Sequence, residues 1–332
     1  MEEQAPQDPG TRRSAPRHPV MTALRLVTLA ACLTFALMLA TAPPREAPRV
    51  GTIGAGCSYE LDERTGTLAI RPTDGVSGEM ASVRDALPDE DLRHAVRSVS
   101  VEEGVLAPAD SSHLFGGLDA VEALDLSGLD TSQVTDMGSM FSGCSSLSSL
   151  GLSGLDTSQV TDMNGMFIDC LALTALDLSG LDTSRVENMW GMFEGCSTLA
   201  SLNLSGIDTS RVQDMGHMFS GCSSLASLDL SRLDTSRVAY MNGMFKGCST
   251  LSSLNLSRLD TSQVTYMNDM FEGCSSLTSL DLSGFDTSRV RNMRGMFEGC
   301  SSLVSVTIGE KGGSILSTER GTGLPEGVGN MR

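Results

Sequence analysis

The sequence predicts an α/β solenoid in which each short coil holds one strand and one helix and is stacked on the next coil. A segment from Gly128 to Cys144 returns as near-copies displaced by 26 residues, and seven full copies cover residues 124–305. Within each copy the spacing of the apolar residues changes from two to between three and four. A fixed period of this length indicates a repeat architecture, because each copy is too short to bury its apolar face alone.

The first half of each copy is predicted to be a strand. Leu150 and Leu152 are two residues apart and therefore share one face of a strand. The residue between the two leucines faces solvent and is Asp or Asn in six copies, which predicts an exposed polar strip on the strand face. Solenoids commonly bind partners on this face, and solvation alone explains the strip equally well. The candidate partner-binding residues are Asp125, Asp177, Asn203, Asp229, Asn255 and Asp281.

The second half of each copy is predicted to be a short helix. Val160, Met163, Met166 and Phe167 lie at positions i, i+3, i+6 and i+7, which places them on one side of a helix. The hydroxyl groups of the preceding Asp-Thr-Ser would cap its amino end, and a glycine before the cysteine would end it in six copies. Because this side faces the core, we expect the paired methionines to fill the interior rather than to bind a soft metal.

Two further columns contain residues that could carry chemistry. One cysteine closes each copy, and buried free thiols are favoured over disulfides because side chains of one parallel ladder point the same way. The aspartate of Asp-Thr-Ser also recurs in each copy. A turn role explains it, while calcium binding and aspartic-protease chemistry are the weaker alternatives. Neither a Cys–His pair for nucleophilic catalysis nor a close ligand pair for zinc can be assembled. We therefore expect no enzymatic activity, no cofactor and no metal site.

The first 42 residues show features typical of export. Leu26–Ala42 is a run of 17 apolar or small residues that follows several arginines. This run predicts a signal peptide or an uncleaved signal anchor in residues 21–42, and Met21 is a second candidate start. The other predicted segments are a cytoplasmic or untranslated basic segment at 1–20, a linker at 43–56, an N-terminal β cap at 57–105, the solenoid at 106–308 and a C-terminal tail at 309–332.

The repeat also resembles a known family. The stretch LDLSGLDTSQVTDMGSMFSGCSSLSS, Leu124–Ser149, and its six successors are similar to leucine-rich repeats, and more narrowly to the BspA-like bacterial surface proteins. The Asp-Thr-Ser and the Met-x-x-Met-Phe carry the narrower resemblance, since a generic leucine-rich repeat has neither. The resemblance implies a right-handed leucine-rich-repeat-like solenoid on a bacterial surface, with adhesion to host matrix, host cells or other microbes. It transfers no catalytic residue.

Charge and exposed aromatic residues narrow the expected partners. The net charge of −18 excludes nucleic acid, because phosphate binding requires clustered Lys and Arg. Trp190, Tyr240 and Tyr266 stand at solvent-facing positions of the predicted helices and are candidate contact anchors.

We expect an exported protein, secreted or membrane-anchored at the cell surface, that meets the membrane only through its N-terminal segment. Its expected partners are proteins or glycans of host or neighbouring cells. The alternative is a passive structural envelope protein or spacer without a specific ligand.

Overall fold

The computed structural model describes residues 47–316, 321–325 and 328–331. The predicted export segment at 21–42 and the basic segment before it lie outside the described residues. The chain divides into two compact units, Met1–Ala47 and Pro48–Arg332, and every described strand and helix belongs to the second. Within the described residues, no helix is long and apolar enough to cross a membrane.

The N-terminal part of the second unit is a β cap. The alternating residues on both sides of a Gly-containing turn predict a hairpin, and it is confirmed: two antiparallel strands pair from Cys57 with Pro72 to Asp62 with Thr67. A further strand, Arg49–Thr52, pairs antiparallel with the first of them, although its residues were predicted to be linker. The strands of the cap are β1 (Arg49–Thr52), β2 (Cys57–Asp62), β3 (Thr67–Pro72), β4 (Gly78–Glu79), β5 (Ser98–Val101) and β6 (Val105–Leu106).

The cap passes directly into the coils, because its sheet continues into the first repeat. Strand β3 pairs in parallel with β5, and β5 pairs in parallel with the first repeat strand, β7 (Ala123–Asp125). A second parallel sheet joins β4, β6 and β8 (Leu129–Asp130). Two short helices, α1 (Val83–Ala86) and α2 (Glu90–Ala95), lie between β4 and β5 and begin at the capping side chains of Ser82 and Asp89.

The repeats form a β-solenoid of about nine turns with a spacing of about 26 residues, so that the predicted solenoid is confirmed. In each coil the first half runs along the strand face. It pairs with a neighbouring coil in some places only, through parallel strands that begin at equivalent repeat positions. The remaining repeat strands are β9 (Ala175–Asp177), β10 (Ser201–Asn203), β11 (Ser279–Leu282) and β12 (Ser305–Ile308).

The prediction of a helix in the second half of each coil is wrong. The backbone N–H groups of Met163, Gly165, Phe167 and Asp169 donate to carbonyl groups of the next coil, at N···O distances of 2.7–3.0 Å. Intervening N–H groups donate three residues back within the coil, as Ile168 does to Gly165 at 3.0 Å. Gly165 and Asp169 have φ of +57° and +56°, in the left-handed region that a right-handed helix excludes. The segment is therefore a series of turns that satisfies its hydrogen bonds between coils.

These turns build a continuous hydrogen-bonded ladder along one side of the solenoid. One residue per coil forms a parallel bridge with its equivalent 26 residues later. We call the surface around these bridges the ladder side. The bridged residues are Asp110, Asp136, Asp162, Asn188, Asp214, Tyr240, Tyr266 and Asn292.

The columns that were predicted to face inward form the core. The paired methionines, the phenylalanine and the cysteine of each repeat are all at most 1% exposed, which confirms that the methionines fill the interior. Phenylalanine rings of successive coils stack with centroids 5.6–5.9 Å apart from Phe115 to Phe297. The column cysteines are free and buried, as predicted. Each donates from Sγ to the carbonyl of the phenylalanine 29 residues earlier, at 3.0–3.3 Å.

The segment predicted as a C-terminal tail caps the last full coil. A 3₁₀ helix, Glu310–Leu316, follows β12, and β13 (Gly329–Met331) pairs with β12 in parallel. Carbonyls of the same segment accept ladder bonds from the last repeat: Gly295 N–H donates to Gly321 and Phe297 N–H to Thr322, both at 2.8 Å. These residues take the place that the next coil holds elsewhere in the ladder.

Candidate ligand-binding surfaces

The polar column of the strand face is exposed in every coil, and each of its acidic or amide side chains also has a local role. Asp177 Oδ1 accepts a hydrogen bond from the backbone N–H of Ser179 at 2.9 Å, which closes a turn after the strand. Asn203 makes the same bond to Ser205 at 3.0 Å and also donates to Asp177 from Nδ2 at 2.9 Å. The predicted candidates that form such turns are Asp125, Asp177, Asn203, Asp229, Asn255 and Asp281.

These turns keep the acidic members of the column ionised. The backbone N–H of Ser179, followed by its hydroxyl, lowers the pKa of Asp177 below its ordinary value. For Asp281 the hydroxyl of Ser283 is the larger cause and the backbone N–H the second. The column is thus a set of exposed turn-forming residues, of which the aspartates carry negative charge. Its use by a partner stays a prediction.

The aspartates of Asp-Thr-Ser have the turn role that was favoured for them. Asp156 Oδ1 accepts from the backbone N–H of Ser158 at 3.0 Å, and the same bond recurs in the other coils. The buried threonine completes the motif across coils, as Thr157 Oγ1 donates to the carbonyl of Asp182 at 2.9 Å. In the part of the chain that the structure describes, no group of three or more His, Cys, Asp or Glu side chains could hold a metal ion.

The three aromatic candidates all lie on the ladder side, where Tyr240 pairs with Tyr266 and Trp190 pairs with His217. Tyr240 and Tyr266 stack on adjacent coils with ring centroids 5.5 Å apart and planes 11° apart. Tyr240 is 42% exposed, while Tyr266 is only partly exposed. Trp190 is also partly buried, with its ring 5.6 Å from that of His217. The predicted solvent-facing position is therefore confirmed for Tyr240, while Trp190 and Tyr266 are only partly exposed.

Glycines beside Trp190 and His217 leave room for these rings. A Cβ atom at Gly243 would lie 2.6 Å from Cε1 of His217, and one at Gly216 would lie 3.1 Å from Cδ1 of Trp190. His217 has a φ of +56°, and its buried Nδ1 atom has no hydrogen-bond partner, since the nearest carboxylate oxygen, of Glu194, is 3.8 Å away. The role of His217 as a ring partner was not predicted from the sequence, although glycine at the two equivalent positions of neighbouring coils, Gly191 and Gly243, was a signal for it.

Surface residues of the ladder side vary from coil to coil over an unvarying core. At the position two residues after the bridge, successive coils have Gly138, Asn164, Trp190, Gly216, Asn242, Asn268 and Arg294. The positions beneath this column are methionine and phenylalanine in every copy. Variation of this kind is expected where side chains meet a partner and not where they only hold the fold.

Repeated buried columns, a continuous ladder and capped ends define a solenoid protein built of 26-residue repeats. A family model described as "Mycoplasma protein of unknown function, DUF285" matches residues 109–228 and 221–308. These matches cover more than half of the chain, which therefore belongs to this family.

The chain is also similar to solved structures of bacterial repeat proteins. A leucine-rich-repeat protein of T. pallidum is 17% identical, with 81% of this chain and 88% of that chain covered and a TM-score of 0.34. A leucine-rich cell surface protein of Faecalibacterium prausnitzii A2-165 is 15% identical, with 79% and 95% covered and a TM-score of 0.27. No curated protein matches the chain significantly.

Proposed function

We propose that this protein is an exported, surface-displayed binding protein of the BspA-like leucine-rich-repeat type, which attaches to proteins or glycans of host or neighbouring cells without catalysis. The export segment at 21–42 would carry the repeats across the membrane and would be its only contact with the membrane. The strand-face column and the ladder side are the two surfaces offered to partners. The single observation that carries the proposal is the stacked pair Tyr240 and Tyr266 on the ladder side.

This pair is suited to binding because Tyr240 is exposed, Tyr266 is partly exposed, and both are held in place. Both tyrosines are bridge residues of the ladder, so their backbones are fixed on both sides by hydrogen bonds. A rigid aromatic ring loses little conformational entropy on binding and offers both apolar area and a hydroxyl group. Lys246 and Glu272 form an ion pair at 2.7 Å on the same two coils, which adds polar groups at the rim.

Binding is tested with the full-length protein on arrays of extracellular-matrix proteins, host-cell glycans and bacterial surface fractions. We expect saturable binding to at least one class. Replacing both Tyr240 and Tyr266 by alanine should weaken it about tenfold or more, as expected for an aromatic hot spot. Val304→Ala is the matched control, since Val304 is an apolar side chain that is 68% exposed away from the ladder aromatics. Absence of saturable binding throughout would favour the passive spacer.

The location is tested separately on intact cells. Labelling with a membrane-impermeant biotin reagent should modify lysines such as Lys246 if the repeats are displayed outside. Sequencing the N-terminus of the labelled protein then distinguishes a cleaved signal peptide from an anchor. Labelling only after the cells are lysed would contradict surface display, whatever the binding arrays show.

A further inference from the structure

An open depression lies where the β cap meets the first coils. It has a volume of about 1170 Å³ and is lined by residues from three segments, 75–76, 101–106 and 127–130. These segments lie about one repeat apart in the sequence, so that the depression extends across three successive levels of the chain. We call it the cap depression.

Close backbone approaches hold these three segments together. A Cβ atom at Gly104 would lie 2.3 Å from the carbonyl oxygen of Val76, and one at Gly128 would lie 2.4 Å from the carbonyl oxygen of Val101. A Cβ atom essentially never comes within 3.0 Å of another heavy atom, so both approaches require a residue without a side chain. A hydrogen bond joins the first two levels, as Gly78 N–H donates to the carbonyl of Gly104 at 3.0 Å. The segments that line the depression are therefore held at a fixed spacing.

Two apolar side chains of the cap depression are exposed. Val76 is 73% exposed and Leu106 is 36% exposed, whereas most large apolar side chains of the described residues are buried. Val76 is also held in place, because Asp74 Oδ1 accepts from the backbone N–H groups of Val76 and Ser77 at 2.8 and 3.1 Å and closes a turn. An apolar side chain on a fixed turn loses little conformational entropy when a partner covers it.

Acidic side chains line the same depression, and none of the described residues that line it is basic. Glu102 and Glu103 are both exposed, and neither forms an ion pair within the described residues. Asp130 Oδ1 accepts from the backbone N–H of Ser132 at 2.9 Å, and this N–H, followed by the Ser132 hydroxyl, lowers the pKa of Asp130. The cap depression thus combines exposed apolar side chains with three carboxylates.

This combination excludes several classes of ligand. Nucleic acid and anionic lipid surfaces are both bound through clustered Lys and Arg, which the cap depression lacks. A sulfated or carboxylated glycan would be repelled in the same way, since like charges disfavour one another at close range. A ligand that complements the depression has positive charge beside an apolar group.

We propose that the cap depression binds a basic segment of a partner protein. An apolar side chain of that segment would pack against Val76 and Leu106 and supply most of the affinity. A lysine or arginine beside it would lie near Glu102, Glu103 and Asp130, and this charge complementarity would speed the encounter and fix the orientation. The site goes beyond the proposed function, because it lies at the cap and uses neither the strand-face column nor the ladder aromatics.

The test selects octapeptides from a random phage-displayed library on the full-length protein. The same selection is run on a triple variant, Val76→Ser with Glu102→Gln and Glu103→Gln, whose three positions are all exposed. The peptide that the wild type enriches most strongly is synthesised with a fluorophore, and its affinity for each variant is measured by fluorescence anisotropy. Urea unfolding checks that the variants remain as stable as the wild type, as expected for exposed positions.

Two matched controls remove the same kinds of group elsewhere. Val304→Ser changes an apolar side chain that is 68% exposed outside the cap depression. Asp229→Asn with Asp281→Asn removes two negative charges, and asparagine already forms the same turn at this repeat position in Asn203.

Peptides enriched by the wild type should contain lysine or arginine next to a large apolar residue. Val76→Ser should weaken binding of the selected peptide about threefold or more, and Glu102→Gln with Glu103→Gln about fivefold or more. Raising the salt concentration from about 50 to about 500 mM should weaken binding severalfold, because the charges are exposed. Each control should change the affinity by less than about twofold.

Several outcomes would overturn the inference. No enrichment of basic peptides over the triple variant would refute the site, and so would enrichment of acidic ones. An equal loss of affinity in the aspartate control would show a general attraction to an acidic protein. Vesicles of phosphatidylserine that displace the peptide would show a membrane site. The inference does not depend on Tyr240 and Tyr266, so that loss of array binding in the tyrosine variants leaves it unaffected.

Discussion

The ladder side and the strand face are built from the same seven repeats, yet only the ladder side joins the coils of those repeats without a break. On the ladder side, each coil donates alternate N–H groups to the next, and the bridges run from Asp110 to Asn292. On the strand face, strands pair between β9 and β10 and between β11 and β12, whereas residues 149–152, 227–230 and 253–256 form no strand. Identical periodicity in the sequence therefore does not give identical spacing on both sides of a coil.

The difference lies in what each side requires for close approach. The ladder side is fixed by buried groups that every repeat supplies, namely the stacked phenylalanines, the thiols and the threonine that donates to the next coil. On the strand face, pairing does not follow one sequence position, since the coils of Gly154 and Gly284 are unpaired with the preceding coil and β12 pairs although Glu310 stands at the same repeat position. Pairing on the strand face can thus differ from coil to coil while the core stays the same.

Alkaline pH should disturb the ladder side most strongly. Burial raises the pKa of Cys144, Cys196 and Cys248 to about 12 from an ordinary value of 9.0. Because the folded pKa exceeds the unfolded one, this stabilisation is complete below about pH 9 and is lost as pH rises toward 12. Between these pH values each thiol lowers the free energy of unfolding by up to about 1.4 kcal/mol per pH unit. Urea unfolding of the reduced protein at pH 7, 9 and 10.5 should show a falling free energy of unfolding.

The matched variant replaces Cys144, Cys196 and Cys248 by alanine. It should be less stable at pH 7, because each substitution leaves a small cavity, and its stability should fall less steeply above pH 9. An unchanged slope would mean that other groups, such as lysines or tyrosines, account for the alkaline effect. Thiol reagents should react with the cysteines of the repeat column only after the protein is denatured.

Phe219→Ala should destabilise the ladder locally by about 3–5 kcal/mol, since Phe219 is fully buried and stacked between Phe193 and Phe245 at 5.7 Å on each side. Amide exchange should rise first in the coils that flank position 219, because each coil touches only its neighbours. Val304→Ala, at an exposed position, should change stability by less than about 0.5 kcal/mol. An equal loss of protection in the distant cap would contradict this local response.

The sequence was sufficient to predict the 26-residue period, the inward-facing columns and the free thiols, because all three follow from stacking equivalent residues on one another. For the second half of the coil it wrongly indicated a helix. The spacing of Val160, Met163, Met166 and Phe167 fits one side of a helix and also fits the turns that the structure shows. A usable signal was present, since Gly165, Gly191, Gly243 and Gly295 recur inside the expected helix. An interior glycine costs a helix about 1 kcal/mol relative to alanine.

The candidate surfaces were predictable only in part. The exposed polar column and the aromatic residues could be named from their phase, but the pairing of Trp190 with His217 depends on which rings the neighbouring glycines admit. The close approach of Gly206 to the carbonyl of Ser179 is likewise a property of the folded backbone alone.

The smallest expected effect gives the sharpest test of the difference between the two sides. Gly206→Ala places a Cβ atom 2.4 Å from the carbonyl oxygen of Ser179 and should cost about 1–3 kcal/mol in strain. Amides of β9 and β10 should then exchange faster, while the ladder bonds of the same coils stay protected. Gly154→Ala is the matched control, because no atom lies within 4 Å of its built Cβ and the substitution should be nearly neutral. If both variants lose the same stability, close approach at Gly206 is not what allows β9 and β10 to pair.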